Sequence, residues 1–263
     1  LVNYRGELSV RRGELVISGD DIDFGFELEP YDLISTGPRS YAEIDLNASF
    51  AGGSLIRVSE RTSFWFDIGT LDTDGSMETD IRLFAGSVAM KVEKLSTRGR
   101  VNVSTEGSAF GVRGTEYIVT IGPESSTLVT CIEGRVSCDD GAGTVVDARP
   151  GQIVEKRFDS PMRAQPLNVS ALGSFRNEWL AERIDEFYRD PARYLSPYTA
   201  QLQKWGPGFE QAAQALRAHE DTWKKWENTL KAGRSYSFVE LGRDKMKVNK
   251  ALFDVARELF FYE

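Results

Sequence analysis

The chain has 263 residues, with 40 acidic and 32 basic side chains and a formal net charge of −8. Its hydrophobic content of 41% and charged content of 27% are ordinary for a globular protein, which excludes collagen-like, coiled-coil and wholly disordered chains. The acidic balance argues against a nucleic-acid partner, and no apolar run approaches the roughly 20 residues that a transmembrane helix needs.

Glycine content and charge divide the chain into two parts. Residues 1–160 contain 19 of the 24 glycines and carry a net charge of −10, whereas residues 161–263 carry +2. The second part also contains four of the five tryptophans. Because Asp159-Ser160-Pro161 has the composition of a turn, we predict two domains, residues 1–160 and 161–263.

Several short runs in the first part alternate apolar and polar residues, which is the pattern of a strand with one buried face. In Tyr41 to Asn47, for example, Ala42, Ile44 and Leu46 alternate with acidic residues. Clusters of Gly, Asp and Ser separate these runs and leave no room for the helices of parallel βαβ units. We therefore predict a mainly β domain, an antiparallel sandwich or barrel.

One β-hairpin is indicated where Thr127 to Ile132 and Arg135 to Cys138 flank Glu133-Gly134, since glycine supplies the positive φ of a tight turn. With Gly134-Arg135 as the loop, Cys131 and Cys138 would lie directly opposite each other and form a disulfide candidate. The alternative is two buried thiols that pack as small apolar side chains. Two thiols without a nearby His or second Cys pair are too few ligands for zinc, so no metal site is predicted.

The second part has helical periodicity and is predicted to be an α-helical C-terminal region. A helix is indicated from Ser174 to Asp190, ended by Asp190-Pro191. Gly206-Pro207-Gly208 is a second predicted break, followed by a helix over residues 207–231. A last helix begins at a capping box, Ser237 to Glu240, and we expect the two long helices to form a hairpin through Ala232-Gly233-Arg234.

The most specific local string is Gly111-Val112-Arg113-Gly114-Thr115, at the entry to an apolar strand. Arg113 could offer its guanidinium to a carboxylate on a ligand or partner. The structural interpretation, which we favour, is that Gly111 and Gly114 form a bulge or bend while Arg113 pairs with an internal acid.

A glycan-cleaving enzyme would need only two carboxylates close together in space, and the sequence gives no means of choosing a pair among the 26 acidic residues of the first part. The other common catalytic sets are absent from this sequence. His219 is the only histidine, so a Ser-His-Asp triad is excluded, and neither a Walker loop nor a dinucleotide fingerprint is present. We predict no enzyme activity and no cofactor. Trp223 and Trp226, with two lysines between them, could anchor a helix to a membrane surface, but a packing face is the more common arrangement.

Residues 1 to about 157 resemble the FecR domain family. The string from Gly111 to Tyr117 is close to the family's "GVRGTEF", and further matches occur in the family's order. They are Gly6 to Gly13, Leu33 to Gly37, Ser40 to Leu46, Leu55 to Val58, Leu83 to Val88, Glu133 to Val136 and Pro150 to Gln152. The helices after residue 160 lie outside this resemblance.

The resemblance implies a jelly-roll-like domain that works outside the cytoplasm. In the best-known members it is periplasmic and passes a signal from an outer-membrane transporter toward a sigma-factor regulator. For this chain we expect an exported, non-enzymatic module with a protein partner at the cell envelope, its signal peptide removed ahead of Leu1. A carbohydrate- or peptidoglycan-binding protein is the alternative, with a groove lined by aromatic residues such as Trp65 and Phe84.

Overall fold

The structure is a computed structural model, and it describes residues 1–13, 15–46, 54–68, 77–92, 99–105, 107–112, 115–233, 235 and 237–259. It divides into two compact units, Leu1–Arg189 and Asp190–Glu263. This division lies C-terminal to the boundary at residue 160 that composition predicts. The first helix of the C-terminal region packs on the sheet and therefore belongs to the first unit.

The first unit is mainly β, as predicted, with two sheets and a core between them. Sheet I has the strand order β1-β5-β6-β8-β11-β12-β15-β16, and all its pairs are antiparallel. Its strands are β1 (Asn3–Arg5), β5 (Tyr41–Leu46), β6 (Ser54–Val58), β8 (Met77–Lys91), β11 (Glu116–Ile121), β12 (Thr127–Glu133), β15 (Gln152–Lys156) and β16 (Arg163–Pro166).

Sheet II has the order β3-β2-β4-β7-β8-β9-β10-β13-β14. Its other strands are β2 (Leu8–Arg12), β3 (Leu15–Ser18), β4 (Leu33–Thr36), β7 (Ser63–Ile68), β9 (Gly99–Ser104), β10 (Ala109–Val112), β13 (Val136–Asp139) and β14 (Val145–Ala148). The pair β8–β9 is parallel, so the prediction of a purely antiparallel sandwich is wrong at this one place. The jelly-roll connection pattern stays a prediction.

Strand β8 belongs to both sheets and turns from one to the other at Gly86. Residues 77–85 pair in sheet II and residues 86–91 in sheet I. Gly86 has φ +84°, and a Cβ there would come within 2.6 Å of the Arg61 carbonyl oxygen. A residue with a side chain would meet both strain and collision at this corner, so glycine is required for the bend.

The core lies between the two sheets and is filled by the inward side chains of both. In β5 the burial alternates as the sequence predicts, with Ala42, Ile44 and Leu46 buried. Sheet II contributes Phe64, Ile81 and other fully buried residues to the same cluster. Burial of apolar area, at about 25 cal/mol per Å², is the main force that holds the sheets together.

The unit ends with helix α1 (Leu172–Arg189), close to the predicted 174–190. The second unit contains α2 (Pro191–Arg217), α3 (Glu220–Lys231) and α4 (Phe238–Leu259). Helix α2 begins with Pro191 after Asp190, whose side chain accepts a hydrogen bond from the Arg193 amide at 3.3 Å. Within the unit, α2 packs against α4.

The predicted helix over residues 207–231 is wrong in both its start and its continuity. Helix α2 runs through Gly206-Pro207-Gly208, and the chain turns at Ala218-His219 instead. Pro207 has no amide hydrogen to donate within the helix, and the packing of α2 against α4 offsets the free-energy cost of this missing hydrogen bond. A turn does occur between α3 and α4, where Gly233 has φ +64°, and Lys225 on α3 contacts Asp244 on α4 at 3.4 Å.

Candidate functional site

The family-like motif and both cysteines lie where the chain passes between the two sheets. The chain leaves β10 in sheet II for β11 in sheet I, and later leaves β12 in sheet I for β13 in sheet II. We call residues 110–112, 115–117 and 131–138 the crossover region. The fold brings these two sequence-predicted sets together at one end of the sandwich.

The motif residues that the structure describes are backbone elements of this crossover. Gly111 lies exposed on β10 in regular register with Asn102 and Ser137, without a bulge in either pairing. The irregularity in register occurs later, between Glu116 and Tyr117. An added Cβ at Gly111 would meet nothing closer than 3.9 Å, so this glycine is not demanded by a close contact.

Thr115 is buried, and its carbonyl oxygen accepts a hydrogen bond from the Val92 amide at 2.9 Å. The backbone of Val112 pairs with Val101 and Val136. Arg113 and Gly114 lie outside the described residues. The predicted ion pair of Arg113 and the bend at Gly114 therefore stay predictions.

The predicted hairpin of residues 127–132 and 135–138 is wrong, although both strands exist. Strand β12 pairs with β11 and β15, whereas β13 pairs with β10 and β14. Gly134 does have the expected positive φ, +81°, but its turn carries the chain across the core from one sheet to the other. Cys131 and Cys138 are free thiols in this structure. The opposed hairpin positions on which the predicted disulfide rested do not occur.

The crossover region places one phenol and two thiols in the core. Tyr117 pairs with Cys131 across sheet I, Phe110 pairs with Cys138 across sheet II, and all four are fully buried. Burial raises the pKa of the Cys138 thiol to about 12, with smaller contributions from Asp147 and Cys131. Burial likewise raises the pKa of Cys131 and of Tyr117. The three groups are therefore neutral at physiological pH and unsuited to nucleophilic attack or metal binding.

Trp65 and Phe84, the aromatic residues of the predicted sugar groove, contact each other. Their rings meet edge to face with centroids 5.0 Å apart. Trp65 is only 7% exposed, so its ring offers no open face on which a sugar could stack. The structure therefore does not support the glycan-binding alternative at these residues.

The outer face of sheet I holds a set of residues that the sequence did not reveal, beneath helix α1. Leu128, Ile153 and Trp179 form a small buried cluster there. The indole nitrogen of Trp179 donates a 2.8 Å hydrogen bond to Oε1 of Glu155. The Arg157 guanidinium donates to the same oxygen at 2.7 Å. Burial of Glu155 opposes its ionisation, but these hydrogen bonds and the charges of Arg157 and Arg163 outweigh it, and they lower the pKa of Glu155.

A second charged contact holds α1 on the sheet one helical turn after Trp179. The buried guanidinium of Arg183 lies 3.5 Å from the buried carboxylate of Glu124, in the turn between β11 and β12. It also contacts Glu182 at 2.9 Å and Glu186 at 2.6 Å. The only hint in the sequence is that Arg183 falls one helical turn after Trp179, on the face that packs on the sheet.

The described residues contain no group of three or more His, Cys, Asp or Glu side chains arranged to hold a metal ion. Within the described part of the chain, no helix combines the length and apolarity needed to cross a bilayer. In α3, Trp223 and Trp226 pack edge to face with their centroids 5.7 Å apart. Trp223 is also 38% exposed, so the choice between a packing face and a membrane anchor stays a prediction.

Residues 32–137 match the family model described as FecR protein. The chain is therefore similar to the FecR family over this stretch. The matched stretch begins just before β4 and ends in β13, so it contains β4 to β12 and nearly all of the crossover region. The matches before residue 32 and after residue 137 extend the resemblance without lying inside the family model.

No curated protein matches the chain. Two crystal structures described as "a putative anti-sigma factor from Parabacteroides distasonis ATCC 8503", at 1.65 Å and 2.50 Å resolution, are similar to it with 14% identity and a TM-score of 0.44. The similarity covers 54% of this chain and 63% of each solved chain. The chain therefore spans less than two thirds of the length of these structures.

Proposed function

We propose that the chain is an extracytoplasmic signalling module that acts by binding another protein at the cell envelope. The observation that carries this proposal is the match to the FecR family at residues 32–137, because the family is regulatory. The extracytoplasmic location and the protein partner follow from the same resemblance.

The outer surface of sheet I beside α1 is consistent with a protein-binding role. Its polar part includes an ion pair between Arg57 and Glu43 at 2.9 Å. A shallow depression between β6, β8 and β11 encloses about 10 Å³ and is lined by Leu55, Arg57, Ala89, Met90, Lys91 and Glu116. This volume is about that of one water molecule and is too small for a sugar ring. The lining mixes apolar and charged side chains, as protein interfaces with a polar rim do.

The test is affinity capture from the envelope fraction of the native cells with the full chain as bait, followed by crosslinking and mass spectrometry. The full chain is needed because a fragment ending at residue 160 would lack α1 and expose Leu128 and Ile153. We expect one discrete protein to crosslink to the FecR-like stretch, and the purified partner to bind the chain in calorimetry. Binding to a glycan array without a protein partner would contradict the proposal.

A further inference from the structure

Within the residues that the structure describes, the two sheets have four edge strands, which differ in how well they are protected against pairing with another chain. Natural sheets block their edges with charge, proline or short length, because an edge presents unpaired backbone groups. Strand β16 (Arg163–Pro166) contains both arginine and proline. Strand β14 contains Asp147, which contacts Arg135 and Arg149, and β1 has only three residues and ends in Arg5.

Strand β3 is short as well, with four residues, but its sequence is Leu-Val-Ile-Ser and it alone of the four edges has neither charge nor proline. In the described part of the chain it pairs only with β2. Leu15 is 59% exposed and Val16 is 56% exposed, and consecutive residues of a strand point to opposite faces. Every second residue of an edge strand also directs its amide and carbonyl away from the sheet. The edge is thus apolar on both faces and open to backbone pairing.

The chain that follows β3 is acidic. Asp20, Asp21 and Asp23 are exposed and form no ion pair within the residues that the structure describes. Phe24 lies next to them with 82% of its surface exposed. An apolar edge that ends beside three carboxylates complements an extended segment with apolar residues and at least one Lys or Arg.

We infer that β3 is the docking edge for an extended, basic segment of a partner protein, which adds to sheet II as an additional strand. Backbone hydrogen bonds to β3 would supply the affinity. Leu15 and Val16 would select apolar residues, and the aspartates would select the basic one. This inference rests on the proposed protein-binding function and names the surface that performs it.

A second copy of this chain is a poorer occupant than a basic segment. Each copy carries a net charge of −8, and residues 1–160 alone carry −10, so two β domains repel each other at low ionic strength. The same charge attracts a cationic strand and speeds its association.

The test selects short random peptides on the immobilised full chain and measures the affinity of the enriched peptides by fluorescence anisotropy. The decisive variant is Val16→Lys, which places a charge on the edge of β3. The matched control is Val145→Lys, because Val145 is 62% exposed on β14, the opposite edge of the same sheet. We expect enrichment of peptides with alternating apolar residues and a Lys or Arg. Their affinity should fall at least about tenfold in Val16→Lys and stay unchanged in Val145→Lys.

Three outcomes of the peptide experiment would overturn the inference. They are the absence of enriched peptides, equal affinity for both variants, and concentration-dependent dimerisation that Val16→Lys alone abolishes. The last outcome would assign the edge to a second copy. Capture of the same envelope partner by the wild type and by Val16→Lys would also show that β3 is not the docking edge, while leaving the proposed protein-binding function intact. Failure of the wild type to capture any protein would count against the proposed function itself.

Discussion

Trp179 on helix α1 donates a hydrogen bond to Glu155 on β15 across 2.8 Å, and the contact is buried under the helix. It joins the C-terminal helical sequence to the β-sandwich through one polar bond surrounded by Leu128 and Ile153. Helix α1 accordingly belongs to the first compact unit, together with the sheet on which it packs. A buried carboxylate needs such donors, because an ionised group without partners is costly in an apolar environment.

We expect Trp179→Phe to lower the free energy of unfolding of the first unit by about 1–3 kcal/mol, since Glu155 loses a buried donor. Urea denaturation would measure the loss, and hydrogen exchange would show faster exchange in residues 172–189. Trp223→Phe, the same change on an exposed residue of α3, is the matched control and should leave exchange in α1 unaltered. Unchanged exchange in both variants would show that the bond does not hold the helix.

Gly122 is predicted to be intolerant of a side chain because α1 passes close to it. A Cβ at this position would lie 2.9 Å from Glu124 Oε2 and 3.2 Å from Arg183 Cβ. Gly122→Ala should therefore cost about 1–3 kcal/mol through overpacking. Gly173→Ala is the control, because nothing lies within 4 Å of an added Cβ there, and alanine should match or slightly exceed glycine in stability. Equal stability of the two variants in thermal unfolding would refute the close packing at Gly122.

The depressed pKa of Glu155 predicts a specific dependence of stability on pH. In the unfolded chain the carboxyl returns to its ordinary value of 4.5, so its contribution is fully present above that pH. The contribution is lost as pH falls through the lower pKa of the folded state. The difference in urea midpoint between the wild type and Glu155→Gln should therefore shrink as pH falls from about 7 to about 3. Glu178→Gln on the exposed surface of α1 controls for the loss of one charge, and a constant difference would contradict the prediction.

The two buried thiols should resist alkylation in the native protein. Because burial raises the pKa of Cys138 to about 12, almost no thiolate exists at neutral pH. Iodoacetamide should label neither Cys131 nor Cys138 before unfolding and should label both afterwards without a reductant. Labelling that appears only after reduction would reveal a disulfide between them, and mass spectrometry distinguishes the two results.

Tyr117→Phe should leave stability unchanged or raise it by up to about 1 kcal/mol. The Tyr117 hydroxyl is buried and has no hydrogen-bond partner in the described residues, so its removal relieves a desolvation cost. Chemical denaturation of the two proteins measures the effect. A loss greater than about 1 kcal/mol would mean that the hydroxyl is satisfied in solution.

Much of the secondary structure could be predicted from the sequence. Alternation correctly located β5, and helical spacing located α1 to within two residues at its start. The pairing of strands was harder to predict from the sequence. The predicted turn at Gly134 exists, yet the two strands that it connects belong to different sheets. A short turn between two strands is compatible with either arrangement, and distant partner strands decided between them.

The residues of the candidate site could likewise be predicted only in part from the sequence. The motif at Gly111 to Thr115 could be located from the sequence, and the family match contains it. The pairs Trp179–Glu155 and Arg183–Glu124 could not be found, because their members are far apart in the chain and each residue alone is ordinary. Only the docking of α1 on sheet I makes them a site.

The sequence by itself determined the mainly β character of the first part, the helical character of the second and the FecR resemblance. These properties depend on local periodicity and on short motifs, which a linear chain displays. The tertiary structure decided which strands pair, that α2 continues through Pro207, and that α1 covers Glu155. It also left β3 as the unprotected edge. These features depend on the free energy of contacts between distant residues, and no local pattern records that energy.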